Sequence, residues 1–459
     1  MTANNPILPG FTTVQLGFTY LELQRELWPT PHHPDRLTPL IKGQATNLNI
    51  WTDGDPIDVS TDDIPMEVDT SSHVARYISL VENDFLSFHR AKTLNHILIR
   101  QEYEDFLAHV MKKGRGSFFL TGQPGIGKSV GACYFLCHLL ASGQSVFFLP
   151  DSKAVYYFSA SGVEALNYPQ NPFAMTSDKV RQALKKSWVL MDSDIDKNWQ
   201  PDSWIQEAFL SIWFSSPDDS RYNSFKNQTK ASLWCMQPWS LEELSALTIL
   251  TQENPSEVFK RFREFGPIPR FLIDAKDTAT NLSILDTIIY ASLADSFFTA
   301  KAEATRKASN RMFLVKPQKT QDGTLDRSQY GYTFVSDFVL ERTMELMQKS
   351  SDLDRQKLLL ELDQPNTRSA AGILMEHMIH QAFIEDGMSL PLDLGGQKID
   401  ATLRLLGTAR TFVIETHGPT NLLSKRPLYL QPQSPNFATM DAIIITQQNL
   451  ILLQSSLFA

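Results

Sequence analysis

The sequence predicts an α/β fold: a doubly wound, mainly parallel sheet, followed by a helical lid. Three observations carry that expectation. A short apolar run, Ser117 to Thr121, leads through Gly122-Gln123-Pro124-Gly125-Ile126-Gly127-Lys128-Ser129 into a largely apolar segment from Val130 to Leu140, which reads as strand, loop and helix. Further apolar runs recur at strand length as far as Cys235. One of them, Trp188-Val189-Leu190-Met191, delivers an acid, Asp192, at its carboxyl end.

The stretch at 122–129 matches the phosphate-binding pattern GxxxxGK[ST]. Glycines let a backbone turn its N–H groups inward around phosphate oxygens, and a helix N-terminus adds partial positive charge. On this reading Gly122, Gln123, Pro124, Gly125, Ile126, Gly127, Lys128, Ser129 and Val130 bind a nucleoside triphosphate, with ATP and Mg²⁺ as the expected ligands. Lys128 holds the β- and γ-phosphates and Ser129 ligates the metal. The competing reading is a chance glycine-rich loop opening an ordinary helix.

Four more runs follow the loop helix or flank it in order: Ser145 to Pro150, Trp188 to Met191, Phe209 to Phe214, and Ala231 to Cys235. Five strands with intervening stretches predict a P-loop NTPase sheet with its ligand at the carboxyl ends. Asp192 is then the metal-side acid, placed as a second phosphate-loop element places it. In ATPases that insert an additional strand between the loop strand and the acid strand, the fourth strand ends in a polar sensor. Ser215 or Ser216 fits that position. The same class commonly carries a second acid to orient water. Here Ser193 comes next and Asp194 follows, so Asp194 is the candidate.

Ser240-Leu241-Glu242-Glu243-Leu244 reads as a capped helix start, and a further helix from Ser256 to Phe265 ends at Gly266-Pro267-Ile268-Pro269-Arg270. Arg270 is placed either as a cationic sensor reaching back to the nucleotide or as a structural arginine opening the next helix. Upstream, Ile97 to Leu107 reads as an amphipathic helix leading into the sheet. The expected division is an N-terminal segment with an acidic linker at 1–73, a nucleotide-binding core at 74–240, a helical lid at 241–310 and a further region at 311–459.

Composition sets limits on partners. The 459 residues carry a net charge of −9, with 42% hydrophobic and 20% charged residues, which argues against coating nucleic acid non-specifically. Seven acids and no basic residue between Thr52 and Thr70 read as a solvated spacer. Three cysteines, Cys133, Cys137 and Cys235, imply no disulfide framework. They read as core thiols, because no second ligand pair at zinc spacing accompanies Cys133 and Cys137. Neither a secretory start nor an uninterrupted bilayer-spanning run is present, so the expectation is an intracellular protein, cytoplasmic or nuclear, without a membrane partner.

Taken together, Ile97 to Tyr103, GQPGIGKS at 122–129, Trp188 to Asp192, Ser215-Ser216-Pro217, Gln237-Pro238-Trp239-Ser240-Leu241-Glu242-Glu243-Leu244 and Phe265 to Arg270 resemble the ATPase region of Crinkler-type and retrotransposon-hot-spot proteins. The resemblance covers roughly residues 95 to 300. It implies a following nuclease-like domain of restriction-endonuclease fold, a smaller C-terminal α+β domain at 311–459. In that resemblance Glu376, on the helix around Ser369 to His380, Asp441, on the strand to Ile445, and Gln454, closing Leu450 to Leu453, would form a second Mg²⁺ site facing DNA. The catalytic lysine the resemblance implies two residues after Gln454 falls on Ser456, and relatives continue beyond Ala459. An incomplete or inactive nuclease fold is therefore expected.

The leading functional expectation is an ATPase whose nucleotide state positions a DNA-facing module, with Lys128, Asp192, Asp194 and Arg270 at the reacting phosphate. The alternatives are a nucleotide-dependent switch that assembles as a homo-oligomer with little turnover, and a Mg²⁺-dependent nuclease.

Overall fold

The structure, a computed structural model, describes residues 6–15, 18–46, 73–80, 96–168, 170–192, 202–217, 219–273, 282–289, 311–320, 322–349, 370, 372–374, 378, 388–394, 397–403, 410–412, 428–432, 442–445 and 450–453. The expected linker at 52–70, together with Asp194, Glu376, Asp441 and Gln454, lies outside them.

The N-terminal residues, which gave no period in the sequence, supply β1 (Thr12–Thr13), helix α1 (Thr19–Leu27) and β2 (Ile41–Thr46). β3 (His73–Ser79) and β4 (His96–Leu98) join β2 in a small antiparallel sheet, order β2-β3-β4. This corrects the sequence expectation of one helix over Ile97 to Leu107. Ile97 pairs with Ile78 in a strand, Arg100 is extended, and helix α2 begins only at Gln101 (Gln101–Lys113). The β-branched Ile97 and Ile99 favour a strand, and β3 offers it a partner.

Among the described residues, the central sheet has eight strands. Its elements in chain order are β5 (Gly116–Thr121), α3 (Lys128–Ala141), β6 (Val146–Leu149), β7 (Ala154–Ser159), β8 (Gly162–Asn167), α4 (Asp178–Leu184), β9 (Trp188–Asp192), β10 (Leu210–Phe214), α5 (Asp219–Thr229) and β11 (Ser232–Cys235). Their order across the sheet is β1-β8-β7-β6-β9-β10-β5-β11. β6, β9, β10, β5 and β11 run parallel, while β7, β8 and β1 extend one edge in antiparallel fashion. The fold is therefore α/β with a large, mainly parallel central sheet. β10 lies between β5 and β9.

Strand residues alternate between two cores, as a pleat requires. Phe118, Leu120, Phe148, Leu190 and Ile212 face a cluster with Phe106 of α2 and Phe135 of α3. Phe119, Phe147, Val189, Met191 and Trp213 face the other side, where Val180 of α4 and Phe225 of α5 cover them. Having helices on both faces explains the nearly continuous apolar strands.

Beyond the sheet come α6 (Leu241–Thr251), α7 (Pro255–Phe265) and the short α8 (Pro269–Leu272). Ser240 caps α6: its Oγ accepts from the Glu243 N–H, and the Glu243 carboxylate accepts from the Ser240 N–H. A hairpin of β12 (Phe313–Lys319) and β13 (Leu325–Phe334) precedes α9 (Asp337–Gln348). Val315 and Tyr330 of this hairpin belong to the second core of the central sheet. Its ends, Phe313 and Phe334, pack with Ile268, Ile289 and Val339 in a third cluster. Further on, β14 (Met388–Leu394) pairs with β15 (Gln397–Leu403), and β16 (Arg410–Phe412), β17 (Leu428–Pro432), β18 (Ala442–Ile445) and β19 (Leu450–Leu453) form a four-stranded sheet in that order.

Candidate phosphate-binding site

The loop 122–127 leaves the carboxyl end of β5 and enters α3 directly. Gly127 caps the helix in the left-handed region, at φ +103°, and as a glycine it offers no side-chain cap to the first turn. The first turn is the positive end of a 14-residue helix. Gly125 also has positive φ, +90°, and a Cβ there would fall 2.8 Å from Arg270 Cβ. A side chain at either position would strain the turn and press on its neighbours, Arg270 and Ile268 at Gly125 and Tyr103 at Gly127.

Lys128 opens α3 and is 3% exposed. Its Nζ donates to the carbonyls of Gly122 at 3.1 Å and Gln123 at 3.2 Å. The ammonium thus lies folded against the loop it follows. Ser129 is half-buried in the same first turn. Thr121, the last residue of β5, is fully buried, and its hydroxyl finds no hydrogen-bond partner among the described residues.

Asp192 ends β9 and is 7% exposed. Asp192 pairs with Phe214, and Phe214 pairs with Leu120. The carboxylate strand therefore stops level with the loop strand, two strand spacings or about 10 Å across the sheet. Ser215 follows β10 directly; it is buried, and its N–H extends the ladder to the Leu120 carbonyl at 3.1 Å. Ser216 is half-buried next to it. The sheet brings the loop, Asp192 and Ser215 to one edge.

Arg270 arrives from α8. It is exposed, and both its Cβ and its Nε lie within 3.4 Å of the position a Gly125 side chain would take. Ile268, fully buried, seats the preceding turn against the same glycine. The two cations of the site thus approach the loop from different elements.

The remaining loop residues are held from outside. Gln123 is fully buried, and its side-chain amide bonds to the backbone of β12. Trp239 Nε1 donates to the Ile126 carbonyl at 2.7 Å, and Tyr103 Oη donates to the Gly127 carbonyl at 2.8 Å. Arg100, 1% exposed, donates to Ile126 O at 3.4 Å and to both carboxylate oxygens of Glu243 at 3.0 Å. Burial alone would depress the Arg100 guanidinium, but the facing Glu243 carboxylate outweighs it and holds the charge more firmly than usual. Sequence reasoning singled out these motifs without giving them a role. Nothing local signals that Arg100 meets Glu243, 143 residues away.

Cys133 and Cys137 are buried in the core on α3, and burial pushes both thiols well up. No cluster of metal-ligating side chains occurs among the described residues. Nor is any helix among them long and apolar enough to cross a membrane.

No family model matches the chain. A curated protein does match over 179 residues at 27% identity. It is Crinkler effector protein 15 of Phytophthora infestans. The matched stretch covers 38% of this chain and 28% of that protein. The chain is thus similar, in part, to a Crinkler, and spans less than a third of that relative's length.

Proposed function

We propose that the chain is a P-loop ATPase of the additional-strand type, binding ATP with Mg²⁺ at 122–129. Its nucleotide state would position the C-terminal, DNA-facing region. The observation that carries this reading is the loop itself: positive-φ glycines, a helix N-terminus capped by Gly127 and a buried lysine at the carboxyl edge of the sheet. The position of β10 between β5 and β9 supports the subtype. The partial likeness to a Crinkler supports the kinship.

In this reading the amides from Gly125 to Val130 cradle the phosphates and Lys128 leaves its two carbonyls to hold them. Ser129 and Asp192 hold the metal, whose charge offsets that of the β- and γ-phosphates. Arg270 stands beside Gly125 as the sensor of the γ-phosphate, and Ser215 reports it to β10. Asp194 orients the attacking water.

Calorimetric titration of the full chain with Mg·ATP tests the reading. Saturable heat that vanishes in Lys128→Ala is expected. Equal binding by both proteins, or no binding by the wild type, would overturn it.

A second reading, a nucleotide-dependent switch with little turnover and assembly into a homo-oligomer, draws on one observation: Ser193 stands directly after Asp192, where an acid would otherwise orient water. Assembly in a non-hydrolysable analogue without phosphate release would favour it. For the C-terminal region the proposal is DNA binding rather than cleavage. β18 and β19 pair with Ala442 opposite Leu453, so Asp441 and Gln454 flank a paired position in sequence. With Ser456 in place of a lysine, a metal site of Glu376, Asp441 and Gln454 would lack its cationic partner. Nicking of plasmid DNA that disappears in Asp441→Ala would instead make this region a Mg²⁺-dependent nuclease.

A further inference from the structure

A loop that offers its N–H groups to phosphate must turn its carbonyls the other way, since each trans peptide sets C=O and N–H in opposite directions. Fixing the Ile126 carbonyl therefore aims the Gly127 N–H, and fixing the Gly127 carbonyl aims the Lys128 N–H. Both carbonyls are held by side-chain donors on the outer side of the loop. Ile126 O accepts from Trp239 Nε1 at 2.7 Å and from Arg100 Nη1 at 3.4 Å. Gly127 O accepts from Tyr103 Oη at 2.8 Å, in addition to its helical bond from Gly131 N–H.

These donors are themselves fixed. Arg100 is clamped by Glu243 and stacks on the Trp239 ring, with its guanidinium carbon 4.6 Å from the ring centroid. Tyr103 is 1% exposed, and burial keeps its hydroxyl protonated and a donor. Room for its ring is made by two glycines: a Cβ on Gly127 would lie 2.7 Å from Tyr103 Oη, and one on Gly131 would lie 3.0 Å from Cε1. Gly131 stands inside α3, where glycine costs about 1 kcal/mol relative to alanine, so its place there has a packing reason. The capping box of α6 belongs to the same arrangement, because Glu243 serves both the Ser240 N–H and Arg100.

We propose that Arg100, Tyr103 and Trp239 are positioning residues of the phosphate loop, fixing the Ile126–Gly127 and Gly127–Lys128 peptide planes so that their N–H groups face the ligand. The proposal rests on the nucleotide-binding reading for its purpose. Its geometric content can be tested separately. This assigns a task to two sequence motifs, 97–103 and 237–244, that contribute no group to the phosphates.

The test uses the full chain carrying Tyr103→Phe and Trp239→Phe, singly and together. Each removes one donor and keeps an aromatic ring. Crystal structures of the nucleotide-free double variant should show the Ile126–Gly127 or Gly127–Lys128 peptide rotated or spread over two orientations. Mg·ATP affinity should fall about five- to tenfold per donor, the effect of one neutral hydrogen bond. The thermal midpoint without nucleotide should stay within about 3 °C. If the double variant fails to fold, the single variants give the same two readouts. Peptide planes unmoved in the variants that fold overturn the proposal, whatever the affinity. Planes that move in a protein whose wild type binds no nucleotide would uphold the positioning and overturn the ATPase reading instead.

Discussion

The side-chain amide of Gln123 is paired with the backbone of β12 at Val315. Its Oε1 accepts from the Val315 N–H at 2.9 Å, and its Nε2 donates to the Phe313 carbonyl at 3.1 Å. A residue of the 122–127 loop is thereby fixed to a strand 190 residues later in the chain. The Gln123 carbonyl, meanwhile, accepts from Lys128 Nζ. One residue links the lysine to the hairpin.

Gln123→Glu should be more damaging than Gln123→Met. The methionine leaves two buried backbone groups unpaired, costing about 2–4 kcal/mol in all. The glutamate sets a carboxylate oxygen against the Phe313 carbonyl and buries a charge as well. Urea denaturation of the three proteins measures the order. A glutamate variant as stable as wild type would show that the amide pairing contributes nothing.

The hairpin is anchored a second time. Arg327 Nη1 meets both carboxylate oxygens of Glu102, at 2.6 Å for Oε2, and Trp234 Nε1 donates to the same carboxylate at 2.8 Å. Glu102 is 4% exposed and Arg327 15%. Removing one partner leaves a buried charge unmatched, so Arg327→Met should cost about 3–5 kcal/mol. Adding Glu102→Gln should restore part of that loss. A double-mutant cycle with no coupling would mean the pair is solvated in solution.

Acid should loosen the contact between the 282–289 helix and α9. Arg342 Nε and Nη2 each donate to the Asp286 carboxylate at 2.8 Å, and those hydrogen bonds hold the carboxyl below its ordinary range. A depressed carboxyl contributes stability that is fully present above its unfolded value, near 4, and lost as pH falls through the folded value. Both side chains are about one-third exposed, so solvent limits the contribution to about 0.5–1 kcal/mol. The stability gap between wild type and Asp286→Asn should be constant above about pH 5 and close below pH 4. A gap that widens on acidification would reverse the sign.

Local sequence carried the parts of the fold that repeat a local pattern. The strand, loop and helix around 122–129, the strand that ends at Asp192, the parallel strands and the N-cap at Ser240 all follow from neighbours in the chain. The β7–β8 hairpin escaped because its turn, Ala160-Ser161, lacks the Asn-Gly or Asp-Gly signature. β4 was mistaken for helix because Ile97-Leu98-Ile99 adjoins a true amphipathic helix, and only β3, about twenty residues away, decides between the two. The supports of the loop were illegible for the same reason. Arg100 with Glu243, Tyr103 with Gly127 and Gln123 with Val315 are pairings of distant residues, which periodicity does not report.

The most direct measurement is a crystal structure of the full chain grown with Mg²⁺ and a non-hydrolysable ATP analogue. The triphosphate should lie against the amides of Gly125 to Ser129, with Lys128 Nζ moved from the Gly122 and Gln123 carbonyls onto phosphate oxygens. A nucleotide bound elsewhere, or a saturated crystal in which Lys128 keeps both carbonyls and the loop holds no phosphate, would contradict it.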